Sequence, residues 1–206
     1  MAVLSRVFLA AAAAALGVSA LGAPDVTLTF DDIEVSNEEA CGRSQLSEED
    51  PYHGILVTGT EYNLVVNSTK TAACPSDAPF TYYPQWASSG SNVLLNLADG
   101  IRFHAPESKK LNAGFFHAGF VYDDAQLASD ITNITVQIHV TSSDGREELT
   151  QDFPLWGAKN YGPWQVFVNE TNADWIQVSG HVFAYTGDSV ISTSNLIVDD
   201  AELWFV

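Results

Sequence analysis

The sequence predicts an all-β protein, a sandwich or barrel of antiparallel strands, and three observations carry that reading. Apolar residues recur with period two, the alternation of a half-buried strand, and nowhere beyond the first residues with the 3.6 period of an amphipathic helix. The runs are short and separated by clusters of Gly, Pro, Asn, Asp and Ser, which punctuate strands. Strand after strand without an intervening helix argues against parallel βαβ units and for two packed sheets or a closed one.

Taken in chain order, the 206 residues open with a targeting segment. Arg6 supplies a positive n-region, 7–15 is apolar and alanine-rich, and Ser19, Ala20, Gly22 and Ala23 are the small residues of a cleavage site. That pattern predicts a secretory signal peptide over 1–22, too short to span a bilayer comfortably. A single domain over 23–206 is expected, with a secreted, extracellular location and no membrane insertion. Strands are expected at 26–30, 55–58, 62–66, 92–97, 101–104, 114–122, 134–141, 147–153, 164–169, 175–184 and 195–205. Ser142-Ser143-Asp144-Gly145 reads as the turn of a hairpin, and 123–129 as a single helical turn. The stretches 36–51 and 70–91 look irregular. They carry Cys41 and Cys74, the only two cysteines, which in an oxidising compartment form one disulfide tying those loops. Its closed loop would add roughly 3–4 kcal/mol in the chain-entropy model. Free reactive thiols are the alternative.

Charge narrows the partners. Twenty-six acidic residues against eight basic ones give a formal net charge of −18. Phosphate backbones need a basic surface, so nucleic acid is not an expected partner. An anionic membrane surface is disfavoured on the same ground. Three Asn-x-Ser/Thr sequons, at Asn67, Asn133 and Asn169, predict N-glycosylation at exposed positions in a secreted chain. The oligomeric state is not legible.

The two ends of the domain carry a matched anomaly. The first run reads Val26-Thr27-Leu28-Thr29-Phe30-Asp31-Asp32-Ile33, and the last contains Val198-Asp199-Asp200-Ala201-Glu202-Leu203. Aspartate is a poor strand former, so something at both ends favours carboxylates. Strand alternation puts Asp32 in line with Val26, Leu28 and Phe30, and Asp199 in line with Ile197, Ala201 and Leu203. Both are therefore expected to face inward, with Asp31 beside them. Inward carboxylates repel unless they are protonated, hydrogen-bonded or bridged by a cation. Asp31, Asp32 and Asp199 are thus candidate ligands of a calcium ion, which accepts six to eight oxygens. Ending strands or capping turns is the plainer reading of the same residues.

These matching ends, with Gly114-Phe115-Phe116-His117-Ala118-Gly119-Phe120, the hairpin around Asp144-Gly145, and Gly162-Pro163-Trp164-Gln165-Val166-Phe167, resemble small secreted fungal proteins with a carbohydrate-binding-module-like, galactose-binding-like jelly roll. The resemblance spans nearly the whole mature chain on short, degenerate motifs. It implies a β-sandwich of jelly-roll type with 8–11 strands and almost no helix. It also implies a structural calcium near joined termini, and it carries no catalytic residues. The segment from about Cys41 to Trp86 is long for a minimal module of this kind.

Chemistry is otherwise sparse. No Gly-x-Ser-x-Gly elbow and no His-Glu-x-x-His motif occurs. The histidines are scattered, and Glu147-Glu148 point to opposite faces of one strand, a poor pair for glycoside hydrolysis. Sugar binding needs aromatic rings with polar neighbours. Tyr82-Tyr83-Pro84-Gln85-Trp86 is the best cluster, and Trp156 with Tyr161 the second. Tyr82, Tyr83, Trp86, Trp156 and Tyr161 are therefore the candidate glycan-binding residues, with core anchoring of the loops as their alternative role. The reading that results is a noncatalytic protein that binds a polysaccharide or other glycan. A small glycan-active hydrolase or lyase and a structural or host-interaction protein are its rivals.

Overall fold

The computed structural model describes residues 21–35, 43–59, 63–67, 89–96, 100–120, 133–155, 161–169, 171–186, 189–193 and 196–206. They form thirteen strands: β1 (Val26–Leu28), β2 (Arg43–Gln45), β3 (Leu56–Gly59), β4 (Asn63–Asn67), β5 (Asn92–Asn96), β6 (Gly100–His104), β7 (Leu111–Phe120), β8 (Asn133–Ser142), β9 (Glu147–Leu155), β10 (Tyr161–Val168), β11 (Trp175–Thr186), β12 (Ser189–Thr193) and β13 (Leu196–Phe205). The strands lie in two antiparallel sheets. Sheet one runs β10-β7-β13-β5-β4-β2, with β1 also paired to β13; sheet two runs β3-β6-β11-β8-β9, with β12 paired to β11.

The two sheets pack as a sandwich around one apolar core. Leu94, Phe116, Val166 and Leu203 from sheet one meet Val57, Phe103, Ile138 and Val178 from sheet two. Phe103 and Phe116 span the gap with ring centroids 5.2 Å apart. Gly114 makes room for that contact, since a Cβ there would come within 2.8 Å of the Phe116 ring. A polar pair sits inside as well. Asn63 and Asn96 are fully buried, and Asn96 Nδ2 donates to Asn63 Oδ1 at 2.8 Å. The expected all-β sandwich is thus the observed architecture, and no helix among the described residues is long and apolar enough to cross a membrane.

The expected hairpin joins β8 to β9. Gly145 takes φ 85° and donates its N–H to the Ser142 carbonyl at 3.0 Å, while Ser142 N–H donates to the Arg146 carbonyl. Asp144 braces this turn by accepting from the Ser142 hydroxyl and from Asn172 N–H. Two strands escape the sequence reading. β2 lies in a stretch read as irregular, and β12 follows β11 and pairs with it in sheet two. The helical turn expected at 123–129, residues 1–20 of the signal peptide expected over 1–22, and Cys41 and Cys74 lie outside the described residues.

Candidate functional site

The two ends of the chain do meet. β1 pairs with β13 through Val26↔Leu203, Thr27↔Glu202 and Leu28↔Ala201. β5 pairs with the other half of β13 through Leu196↔Asn96, Ile197↔Leu95 and Val198↔Leu94. Two strands therefore share one side of β13, and Asp199-Asp200 falls in the gap between them. On its other side, the register of β13 against β7 shifts between Asp199 and Glu202, and Asp200 takes φ 45°. That bulge reverses the alternation: Leu196 and Val198 reach the core before it, Ala201 and Leu203 after it.

The aspartates close the gap with backbone amides. Asp31 Oδ1 accepts from Ser91 N–H at 2.8 Å and Asn92 N–H at 2.9 Å, at the start of β5. Asp199 is fully buried and accepts from Ser89 N–H at 3.1 Å and from Asp200 N–H at 2.9 Å. Asp200 accepts from the Ser89 hydroxyl. Asn92 Nδ2 donates to the carbonyls of Phe30 and Ile33 at 3.0 and 3.1 Å. Gly90, at φ 47°, is obligatory here because a Cβ would collide with the Asp31 carboxylate.

Asp32 corrects the sequence reading. Alternation expects it inward, yet its side chain is 58% exposed. The reason is local: β1 ends at Leu28, and Phe30 takes φ 62°, so strand alternation no longer governs Asp31 and Asp32. The Tyr52 hydroxyl donates to Asp32, and His53 Nε2 lies 2.9 Å from it. The Tyr52 hydrogen bond holds the Asp32 carboxyl below its usual range, and burial together with that carboxylate pushes the Tyr52 phenol up. Asp31, Asp32 and Asp199 therefore serve different partners. Among the described residues no group of three His, Cys, Asp or Glu side chains converges as a metal site. Asp31 and Asp199 each accept two backbone N–H groups, whereas Asp32 accepts from the Tyr52 hydroxyl and lies beside His53.

Asp199 stands directly across from His117 on the outer side of sheet one. His117 Nδ1 is 3.7 Å from Asp200 Oδ2. Burial pushes the His117 pKa down, against the opposing pull of Asp200. Burial raises the Glu202 pKa, and Asp200 adds to that rise.

A different surface offers a ligand something to hold. On the outer side of sheet two, register aligns Thr58, Arg102, Gln177, Thr141 and Glu147 in one row across five strands. Their neighbours along each strand, among them Val57, Phe103 and Val178, point into the core, so the row must point out. Arg102 Nε and Nη2 both donate to Gln177 Oε1, at 3.2 and 2.8 Å. The guanidinium lies over the Trp175 ring, 4.2 Å from its centroid. Thr58 Oγ1 and His104 Nε2 are 2.9 Å apart. Burial first, then the Arg102 charge, lowers the His104 pKa. Thr58, Gly59, Gly100, Arg102 and Gln177 line a groove of about 90 Å³. Gly100 is open for a reason: a Cβ there would meet the Val178 carbonyl at 2.8 Å and Gln177 Nε2 at 2.9 Å.

Sequence reasoning missed this groove, because Arg102 and Gln177 are 75 positions apart. The one signal was a polar alternation through Gly100–His104 and Trp175–Gly180. Of the residues it favoured, Tyr82, Tyr83, Trp86 and Trp156 lie outside the described residues, and Tyr161 opens β10, where its backbone pairs with Phe120. Asn67 ends β4 half-buried, with Nδ2 3.4 Å from Ser91 Oγ; Asn133 opens β8; Asn169 follows β10, also half-buried.

No protein-family model matches the chain, and no curated sequence matches it. The solved structures to which the chain is similar include carbohydrate-binding modules. One is the xylan-binding family 22 domain from a Paenibacillus barcinonensis protein, 11% identical, covering 89% of this chain and 96% of that one, with a TM-score of 0.34. Another is the C-terminal family 22 module of a Clostridium thermocellum protein, 15% identical, covering 88% and 92%, with a TM-score of 0.35. A third is a family 61 module bound to β-1,4-galactotriose, 14% identical, covering 76% and 92%, with a TM-score of 0.33.

Proposed function

We infer that this is a secreted, noncatalytic glycan-binding protein whose ligand, a cell-wall polysaccharide, lies on the outer side of sheet two. The observation that carries this reading is the pinned row on that face. Arg102 is clamped between Gln177 and the Trp175 ring, so its donors are oriented before any ligand arrives. Planar donors and acceptors held in a fixed orientation are what sugar hydroxyls require. The noncatalytic part rests on the same geometry. Glycoside hydrolysis needs two opposed carboxylates roughly 5–10 Å apart, and the groove lining carries no acid. The carboxylates of the seam are engaged with backbone amides.

The test is retention on insoluble wall polysaccharides, with a reducing-sugar assay on the same material. Binding without sugar release is expected, and Trp175→Ala should lose most of it. Trp86→Ala measures what the aromatic loop adds. Sugar release would favour the enzyme, and failure to bind any polysaccharide would favour a protein-interaction role.

A further inference from the structure

We propose that the groove beside Arg102 is a carboxylate subsite, taking the uronic-acid substituent of an otherwise neutral polysaccharide. The proposal rests on the glycan-binding reading above and specifies which glycans are preferred.

Arg102 sits in a chain with 26 acidic residues and only eight basic ones, and none of the ion pairs among the described residues involves it. Its fixed partners are a neutral amide and an indole. Gln177 occupies the Nε–Nη2 side of the guanidinium. The Nη1–Nη2 edge remains, and two parallel N–H donors on one edge match the two oxygens of a carboxylate. The Trp175 ring holds the guanidinium plane and excludes water from one side of it.

The groove also has the right size for a substituent. About 90 Å³ holds several waters, enough for a carboxylate. Thr58 and Gln177 flank it with hydroxyl and amide groups suited to the neighbouring sugar oxygens. His104, whose ring faces Thr58, has its pKa lowered by burial first and then by the Arg102 charge.

Net charge decides between two kinds of acidic glycan. A polyuronate carries a charge on every residue, and a chain of formal charge −18 repels it as a whole. An isolated carboxylate on a neutral backbone feels chiefly the guanidinium within a Debye length of about 8 Å. The preferred ligand is therefore sparsely charged.

The experiment compares glucuronoxylan and other uronate-bearing wall polysaccharides with the same polymers after chemical reduction of their carboxyl groups. Titration calorimetry should show at least one polymer losing about tenfold in affinity on reduction, the size of one charge-assisted hydrogen-bond pair. Arg102→Gln should abolish the difference between the two forms, and Arg102→Lys should restore only part of it. Equal affinity for both forms of every polymer bound, or a preference that survives Arg102→Gln, overturns the subsite and leaves glycan binding standing. Absence of binding to both forms throughout the panel overturns the glycan reading and the subsite with it.

Discussion

At the scale of single residues, the aspartates act as amide acceptors at a break in the sheet. Asp199 is fully buried with two N–H groups pointing at it. Asp199→Ala leaves those donors unpaired, and chemical denaturation should show a loss of about 2–4 kcal/mol. Gly90→Ala should destabilise through a different route, by displacing the Asp31 carboxylate and straining a left-handed φ. Glu202 behaves oppositely. Its folded-state pKa is raised by burial and by Asp200, so it favours the protonated form in the fold. Its favourable contribution is complete below the unfolded pKa and is lost as pH rises through the folded one. Glu202→Gln should therefore raise the melting temperature at pH 7, and the gain should vanish below about pH 4. A gain that persisted in acid would contradict this assignment. Asp32 shows why such detail was hard to read. Its exposure comes from a single positive φ at Phe30, which no propensity of phenylalanine announces.

At the scale of elements, strands were legible wherever alternation was clean. β7, β8 and β11 lie within a few residues of their expected bounds, because apolar rows separated by turn residues have one dominant interpretation. β2 was hidden because Arg43-Ser44-Gln45 has no apolar alternation and is a strand only by pairing with β4. The position of β13 was legible, but its phase was not. The bulge at Asp199-Asp200 shifts the inward set from Leu196 and Val198 to Ala201 and Leu203, while continuous alternation keeps one set throughout. Gly114→Ala tests how tightly the Phe116 ring is packed over its own strand β7. With its Cβ 2.8 Å from the Phe116 ring, overpacking should cost about 1–3 kcal/mol.

At the scale of the whole molecule, the closing seam and the proposed binding face belong to different sheets. Sheet one joins the two ends of the domain through β1, β13 and β5. Sheet two presents Thr58, Arg102, Trp175 and Gln177 on its outer side. Because amides satisfy Asp31 and Asp199, a metal chelator should leave the melting temperature unchanged. A drop on chelation, abolished in Asp199→Ala, would instead support the structural calcium that the fold resemblance implied. The central claim is that the outer side of sheet two contacts the glycan. The most direct measurement is the amide chemical shifts of the isotopically labelled protein, titrated with soluble wall oligosaccharides. The account predicts saturable shifts centred on Arg102, Trp175 and Gln177. Shifts confined to sheet one, or no shifts with any oligosaccharide, would contradict it.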